Sequence, residues 1–476
     1  MEWRVETDSP LGCHIVLLTP EFAAGSPLGL PVSERHAKKG AVTTFFRDGD
    51  GGRLWLTAGI GPEAEVQPEH IRQAMGEAGR MAVKEGWEEV AVHLPELPLP
   101  ADALGRAVVE GLILGTYRFD RYRSNPQAQR LRRVDVLRGT RESESLLAGI
   151  RRGEADAAGT CLARDLANEP ANHLRPDLLA SRVQEHFSGT PVEVSVYGGV
   201  ELERMDLQGL AAVGKGSRYG PRLIEMRYTG DSSKPLIALV GKGMTFDSGG
   251  ISLKTQRDIS DMRMDMAGAA AVIGALDVIA KLRLPVHVVG LVPAAENVPG
   301  AHSMLPGDII RYANGTTVQV ANTDAEGRLI LADGLILAGK RGARTVIDIA
   351  TLTGACAAAL GPKIAGVFGD DGLRSLLQEV GERVGDRVWP MPLVEEYESM
   401  LDSDYADLKN ISEGPYAGAI TAALFLKRFV PTGVAWAHID MAGPMDTSKT
   451  KGYLPAGATG FGVRLLAETV NRLASA

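Results

Sequence analysis

Cysteine is nearly absent from this chain: Cys13, Cys161 and Cys356 are the only three in 476 residues, and they stand far apart with no Cys-x-x-Cys pair. A disulfide framework is therefore excluded, a reducing compartment is the simpler expectation, and the three read as small apolar residues of the interior. An excess of positive charge is also missing. The 51 lysines and arginines are outnumbered by 59 aspartates and glutamates, giving −8 with histidines neutral, which argues against non-specific binding to phosphate backbones or anionic lipid. No segment reaches the roughly 18 uninterrupted apolar residues of a membrane span. The first residues, MEWRVETDSP, put acids where a secretory signal has a basic segment followed by an apolar run, so the expected location is the cytoplasm. Aromatics make up only 5% of the chain, whereas hydrophobic residues at 45% and charged residues at 23% exclude disorder. Glycine is the residue in excess, with 56 copies, about 12% against a usual ~7%.

A chain of this length predicts two or three domains at roughly 150 residues each. Between residues 14 and 120, short apolar segments at 14–19, 42–46, 53–60 and 88–94 read as strands, and 67–86 and 101–118 as helices. An arginine-rich polar stretch at 119–146 precedes a long helix at 143–167, and the domains are expected to divide as 1–150 and 151–476. The basic run Arg130–Arg133 reads as a solvated or subunit-contact face. Beyond it, strands at 235–241, 287–296, 317–321, 344–354 and 433–443 alternate with helices at 266–282, 327–339, 372–385 and 417–429. The fold class is α/β: a smaller N-terminal domain and a larger C-terminal catalytic domain whose mostly parallel sheet is flanked by helices. Ligands of such sheets sit beyond the carboxyl ends of the strands.

Glycines and acids coincide at those ends. In VGKGMTFDSGGISLK (240–254), Lys242 and Asp247 follow an apolar strand among four glycines; a plain glycine-rich turn capped by Asp247 also fits. Neither GxxxxGK[ST] nor GxGxxG is present in it, so a phosphate loop is not indicated. Asp265 opens an alanine-rich helix, where an aspartate can serve simply as an N-cap. In NTDAEGRL (322–329), Asp324, Glu326 and Arg328 are spaced by two; read as extended chain they project to one side, although an ion-paired loop would account for them as well. Four carboxylates gathered after different strands would repel one another strongly, by about 4 kcal/mol per pair at ~4 Å even at an effective dielectric of 20. Divalent cations resolve that conflict, and paired metals are a known device for hydrolysing peptide or phosphate bonds. Oxygen ligands suit Mg²⁺ and Mn²⁺, and Zn²⁺ accepts carboxylates too.

The strings VGKGMTFDSGGISLK, MRMDMAGAAA and NTDAEGRL, in this order and at these separations, resemble the leucyl aminopeptidase (cytosol aminopeptidase) family. The resemblance runs over roughly 155–476 and includes NEPAN, TLTGA, HIDMAGP and GATGFGVR. It implies a metal-dependent aminopeptidase with two divalent ions per subunit, Mn or Zn with Mg as a further option, releasing leucine-like N-terminal residues from short peptides. Asp247 and Glu326 would bridge the ions, Lys242 and Asp265 would complete one shell, and Asp324 would serve the other. Lys254 would stabilise the oxyanion, and Arg328 would hold a bicarbonate that acts as general base. The side-chain pocket implied comprises Met262, Thr351, Leu352, Gly354, Ala442 and Met445. His438 is expected to be a packed histidine and no ligand. The charged segment 255–264 and the acid-rich segment 397–416 depart from an apolar pocket wall. A homohexamer is implied; DNA binding, known for some relatives, is not favoured in so acidic a chain, and no membrane role is expected. A two-metal phosphoesterase is the competing enzymatic reading.

Overall fold

The computed structural model describes residues 1–24, 30–47, 52–126, 130–255 and 258–475. They form two compact units: Met1–Ala158 together with Thr447–Gly457, and Gly159–Asp446 together with Ala458–Ala476. The division falls inside one helix, Ser143–Asn168, and a short segment near the C-terminus belongs to the first unit.

The first unit holds a six-stranded sheet built from β1 (Glu2–Glu6), β2 (Cys13–Leu18), β3 (Val42–Arg47), β4 (Arg53–Gly59), β5 (Glu89–His93) and β6 (Arg133–Leu137), in the order β1-β6-β5-β2-β4-β3. All neighbours are parallel except β3 against β4. β2 is buried along almost its whole length, as expected for a parallel strand covered on both faces. β1 and β6 were not expected: the arginines around β6 mask its apolar core. Arg133 binds Asp135 of the same strand through two 2.8 Å hydrogen bonds, and Val134 and Val136 are fully buried.

The second unit is organised by a nine-stranded sheet. Its strands are β7 (Val192–Gly198), β8 (Arg222–Thr229), β9 (Ile237–Gly241), β10 (Gly243–Asp247), β11 (His287–Asn297), then, after two short strands of a separate sheet, β12 (Ile309–Arg311) and β13 (Thr317–Gln319), β14 (Thr345–Ala350), β15 (Ala365–Gly369) and β16 (Val388–Pro390). β17 (Leu408–Lys409) joins β12 and β13, and β18 (Ala435–Asp440) completes the main sheet. The order is β16-β15-β18-β14-β9-β11-β8-β7, with β10 pairing β11. The central strands β18, β14, β9 and β11 are mutually parallel, and β7, β8 and β15 supply the antiparallel pairings.

Two helices clamp this sheet from opposite faces. Val289 and Leu291 of β11 join a core with Leu329, Leu331 and Leu335 of the helix Gly327–Lys340. Gly290 between them faces Val272 and Leu276 of the helix Ala267–Lys281. That second helix, AGAAAVIGALDVIAK, is buried on nearly all sides, and its small residues permit close approach: a Cβ on Gly268 would fall 2.2 Å from the Ile349 carbonyl. Part of the glycine excess therefore serves helix-on-sheet packing.

Candidate metal centre

The site lies beyond the carboxyl ends of β9, β10 and β14, where parallel strands release their loops. β9 and β10 are nearly one strand, since both run parallel beside β11, and Lys242 is the residue at their break. The Lys242 amide donates to the Ile349 carbonyl at 3.1 Å and its carbonyl accepts from Ala269, so the backbone is fixed while the side chain turns into the site. A shift in register between Met244 and Phe246 bends β10 just before Asp247. Such a bulge re-aims the residues that follow it.

Asp247, Asp265 and Glu326 are all buried, and each offers a carboxylate oxygen within 4.8 Å of the others. Lys242 Nζ lies 2.8 Å from Asp265 Oδ2 and 3.0 Å from Glu326 Oε1. Lys254 Nζ lies 2.7 Å from Asp247 Oδ2 and also pairs with Asp324, whose side chain is 35% exposed and forms the open rim of the cluster. Four carboxylates thus face two lysines, which leaves negative charge unmatched in a poorly solvated volume. Burial pushes the Asp265 carboxyl above the usual range, with Asp247 adding to the rise and Lys242 opposing it. Glu326 is raised in the same way, by burial first and then by Asp247 and Asp265. For Lys242, burial favours the neutral amine, but Asp265, Glu326 and Asp247 outweigh it and the net direction is upward. Lys254 is likewise raised, chiefly by Asp247 and Glu326 against burial.

The donor set fits divalent cations. It is all carboxylate apart from one amine, and Glu326 Oε2 is a buried acceptor with no hydrogen-bond partner among the described residues. Arg328, in the first turn of the helix Gly327–Lys340, is 6% exposed, and its Nε likewise has no partner among the described residues. Burial lowers its guanidinium to about 10, with Glu326 and Asp440 opposing, so it stays charged at neutral pH.

Two local expectations are corrected. NTDAEGRL is not extended: it turns at 323–324, Glu326 already has helical dihedrals (φ −75°, ψ −34°), and Arg328 lies inside the helix. Asp324, Glu326 and Arg328 are therefore placed by a turn and a helix start, not by sharing one side of an extended strand. Asp265 does not cap the alanine-rich helix, whose N-cap is Met266; its carboxylate is taken by Lys242 and by Thr351 Oγ1 at 2.7 Å. The turn reading of Asp247 holds alongside its place in the cluster, since Asp247 Oδ1 accepts the Gly249 amide at 2.9 Å. Gly249 and Gly250, at φ +88° and +65°, make that turn in a conformation closed to most side chains.

The residues expected to line a side-chain pocket separate into groups. Thr351, Leu352 and Gly354 follow β14, and Ala442 and Met445 follow β18, the neighbouring parallel strand. Met262 is buried in the one-turn helix Ser260–Met264 beside Asp265. Thr351 is committed to Asp265, and Leu352 gives its amide to Asp440 Oδ1 at 3.2 Å. Within 255–264, Gln256 and Arg257 lie outside the described residues. His438 is fully buried, bonds Asp348 at 2.5 Å through Nδ1, and belongs to no group of ligand atoms among the described residues.

Several residues that shape the site escaped the sequence reading. Asn410, fully buried, accepts from the amides of Ala321 and Asn322 and donates to the Asn322 and Ala325 carbonyls, so it acts as a strand partner for the loop carrying Asp324. Thr323 Oγ1 donates to the Gly249 carbonyl and accepts from the Ser252 amide, which stitches that loop to the glycine turn. Asp440 accepts from the amides of Leu352, Thr353 and Ala442. Asn297 binds Asp247. Asn410 and Thr323 offer no sequence signal, whereas Asn297 ends an apolar strand, the same position that singled out Asp247.

A helix-flanked, mostly parallel sheet with a buried carboxylate cluster at its carboxyl edge defines the class: metal-dependent α/β enzymes. Among solved structures, Bottromycin maturation enzyme BotP in complex with Mn is similar at a TM-score of 0.88 and 36% identity, covering 97% of this chain and 99% of that one. A "Probable cytosol aminopeptidase" of Syntrophotalea carbinolica is 42% identical over 99% of this chain and 95% of its own. Another, from Roseiflexus castenholzii, is 44% identical over 88% and 87%. The catalytic-domain model of the cytosol aminopeptidase family matches residues 161–467, and the family's N-terminal-domain model matches 33–126. The chain belongs to the cytosol aminopeptidase family, and is thereby a peptidase of the metal-dependent kind. No helix among the described residues is long and apolar enough to cross a membrane.

Proposed function

We propose that this protein removes N-terminal residues, leucine-like ones preferentially, from short peptides, using two divalent ions held by Lys242, Asp247, Asp265, Asp324 and Glu326. The observation that carries this reading is the convergence of three buried carboxylates on one small volume, with Glu326 Oε2 left without a hydrogen-bond partner among the described residues. Bound divalent ions supply Lewis acidity toward the scissile carbonyl and the substrate's free α-amine, and lower the pKa of water to a range where hydroxide is available. Asp247 and Glu326 would serve both ions. Lys242 must shed its proton to donate a lone pair, and a second positive neighbour would favour that loss. Lys254 keeps its proton and presents an ammonium to negative charge developing on the substrate oxygen. Arg328, charged and short of partners, offers the guanidinium fork that suits a planar oxyanion such as bicarbonate, which would accept the proton that Arg328 cannot.

The pocket for the leaving residue's side chain is proposed at Met262, Thr351, Leu352, Gly354, Ala442 and Met445, with Leu352 contributing its carbonyl, since its amide is already used by Asp440. Mn²⁺ or Zn²⁺ are the proposed ions. A homohexamer in the cytoplasm completes the proposal, and sedimentation velocity returning a stable monomer would remove the hexamer. The decisive assay compares leucine p-nitroanilide with its N-acetylated form on Mn²⁺-loaded protein. Cleavage of the free amine alone is expected; equal cleavage of both, or phosphatase activity in their place, would overturn the reading.

A further inference from the structure

We propose that Asn297 is a positioning residue of this centre: its side-chain amide orients the Asp247 carboxylate and ties it to the loop that carries Asp324. The inference rests on the proposed metal-binding role of Asp247. Asn297 is the last residue of β11 and stands directly beside Asp247 in the parallel register of β10 and β11. Its Nδ2 donates one proton to Asp247 Oδ1 at 2.8 Å and the other to the Thr323 carbonyl at 2.9 Å. Both partners can only accept, so the amide nitrogen must occupy this position and the amide cannot be flipped without two acceptor clashes.

The same Asp247 oxygen also takes the Gly249 amide at 2.9 Å. Two neutral donors on Oδ1 leave Oδ2 to the ion pair with Lys254. Asn297 thus decides which oxygen of Asp247 is offered to the interior of the cluster. The residue is itself locked. It is 3% exposed, its carbonyl accepts from Ser248 N at 2.9 Å and Ser248 Oγ at 2.8 Å, and its Oδ1 lies so near Gly250 that a Cβ there would fall 2.5 Å away. One side chain therefore couples three segments: the end of β10, the glycine turn, and the turn at Thr323 that precedes Asp324.

This arrangement requires an amide. An aspartate of the same shape would set acceptors against the Asp247 carboxylate and the Thr323 carbonyl, in a volume already carrying unmatched negative charge. Because Asn297 holds Asp247, which is proposed to serve both ions, and ties it to the neighbour of Asp324, its loss weakens both ions and weighs more on the one on the Asp324 side. Outer partners of metal ligands typically contribute about 10–100-fold in affinity.

The test is a Mn²⁺ titration by calorimetry on metal-stripped wild-type, Asn297→Asp, Asn297→Ala and Asp324→Ala proteins, with thermal melts before and after loading. Wild type is expected to take up two ions. Asn297→Asp should lose about 10–100-fold on the ion of the Asp324 side and distinctly less on the other, with a smaller Mn²⁺-induced rise in Tm. Adding Asn297→Asp to Asp324→Ala should cost little more, as coupled positions do. Two ions bound at wild-type affinity by both Asn297 variants, or equal weakening of both ions, would overturn the inference while leaving the metal centre intact. A wild-type chain that binds no Mn²⁺ would overturn the parent reading instead, and the Asn297 role with it. Asn297→Ala keeps the test open if the buried aspartate prevents folding.

Discussion

Gly327 and Lys242 are in direct apposition: a Cβ on Gly327 would fall 2.7 Å from the Lys242 ammonium nitrogen and 2.6 Å from its Cε. The first residue of a helix thus clears the space in which a lysine from the break between two strands reaches Asp265 and Glu326.

Gly327→Ala should consequently displace Lys242. The Gly327 φ is not among the positive values, so alanine suits the helical backbone and the clash is the only penalty. Overpacking of this kind costs about 1–3 kcal/mol. Denaturant melts of the metal-free protein should register that loss, and Mn²⁺ titration should show weaker binding on the Lys242 side. Unchanged metal affinity would mean that Lys242 moves aside freely.

Lys254→Ala should retain both ions while turnover falls by about 10²–10³, the effect of removing an oxyanion donor. In the metal-free state the substitution also strips Asp247 and Asp324 of their shared cation. Stability before loading should therefore fall more than stability after loading. Collapse of metal content would instead make Lys254 part of the ion-binding set.

Arg328→Met should separate stability from activity. Arg328 is a buried cation whose Nε has no partner among the described residues, so an apolar side chain of similar length removes a desolvation penalty. Thermal stability should hold or rise, by up to about 1–3 kcal/mol, while peptidase turnover drops. A simultaneous loss of stability would show that Glu326 and Asp440 depend on this charge.

The first unit carries its own pH dependence. His14 Nδ1 and His93 Nε2 are 2.9 Å apart on neighbouring strands, so one must donate and the other accept. Burial, followed by His14, pushes His93 down to about 4, and His14 is also lowered, by burial and then Arg53. Between the ordinary value of 6.5 and about 4 the unfolded chain binds the proton that folded His93 refuses. Stability should be full above pH 6.5 and decline on acidification toward pH 4, with His93 contributing at most about 1.4 kcal/mol per pH unit. Urea melts between pH 7.5 and 4.5 should show this slope, and His93→Phe should flatten it. A slope unchanged by that substitution would assign the acid sensitivity to other groups.

How much was legible follows from how local each signal is. The strands at 287–297 and 345–350 and the helices at 267–281 and 327–340 emerge from apolar runs and small-residue spacing within about one residue at most ends. β6 was hidden because its arginines are neutralised by Asp135 and Glu88, a pairing that composition cannot reveal. The extended reading of NTDAEGRL failed because spacing by two is silent on whether a turn or a strand carries it. Tertiary context settled the turn: Asn410 bonds the backbone of Ala321, Asn322 and Ala325, and Ser252 Oγ and Asn297 Nδ2 take the Thr323 amide and carbonyl, which removes the loop's need for a strand partner.

The sequence alone determined the alternation of strands and helices, the acidic motifs at strand ends, and the family those motifs belong to, because each is written in residues close together along the chain. The tertiary structure alone decided which oxygens meet. Asp247, Asp265 and Glu326 converge because Lys242 sits at a strand break, a bulge redirects β10, and a helix begins with the one residue that leaves room for an ammonium. It also decided the role of Thr351, turned to Asp265, and the place of 447–457 in the first unit. Periodicity reports which face of an element is buried; it carries no information on which distant carboxylate a buried amide or hydroxyl will find.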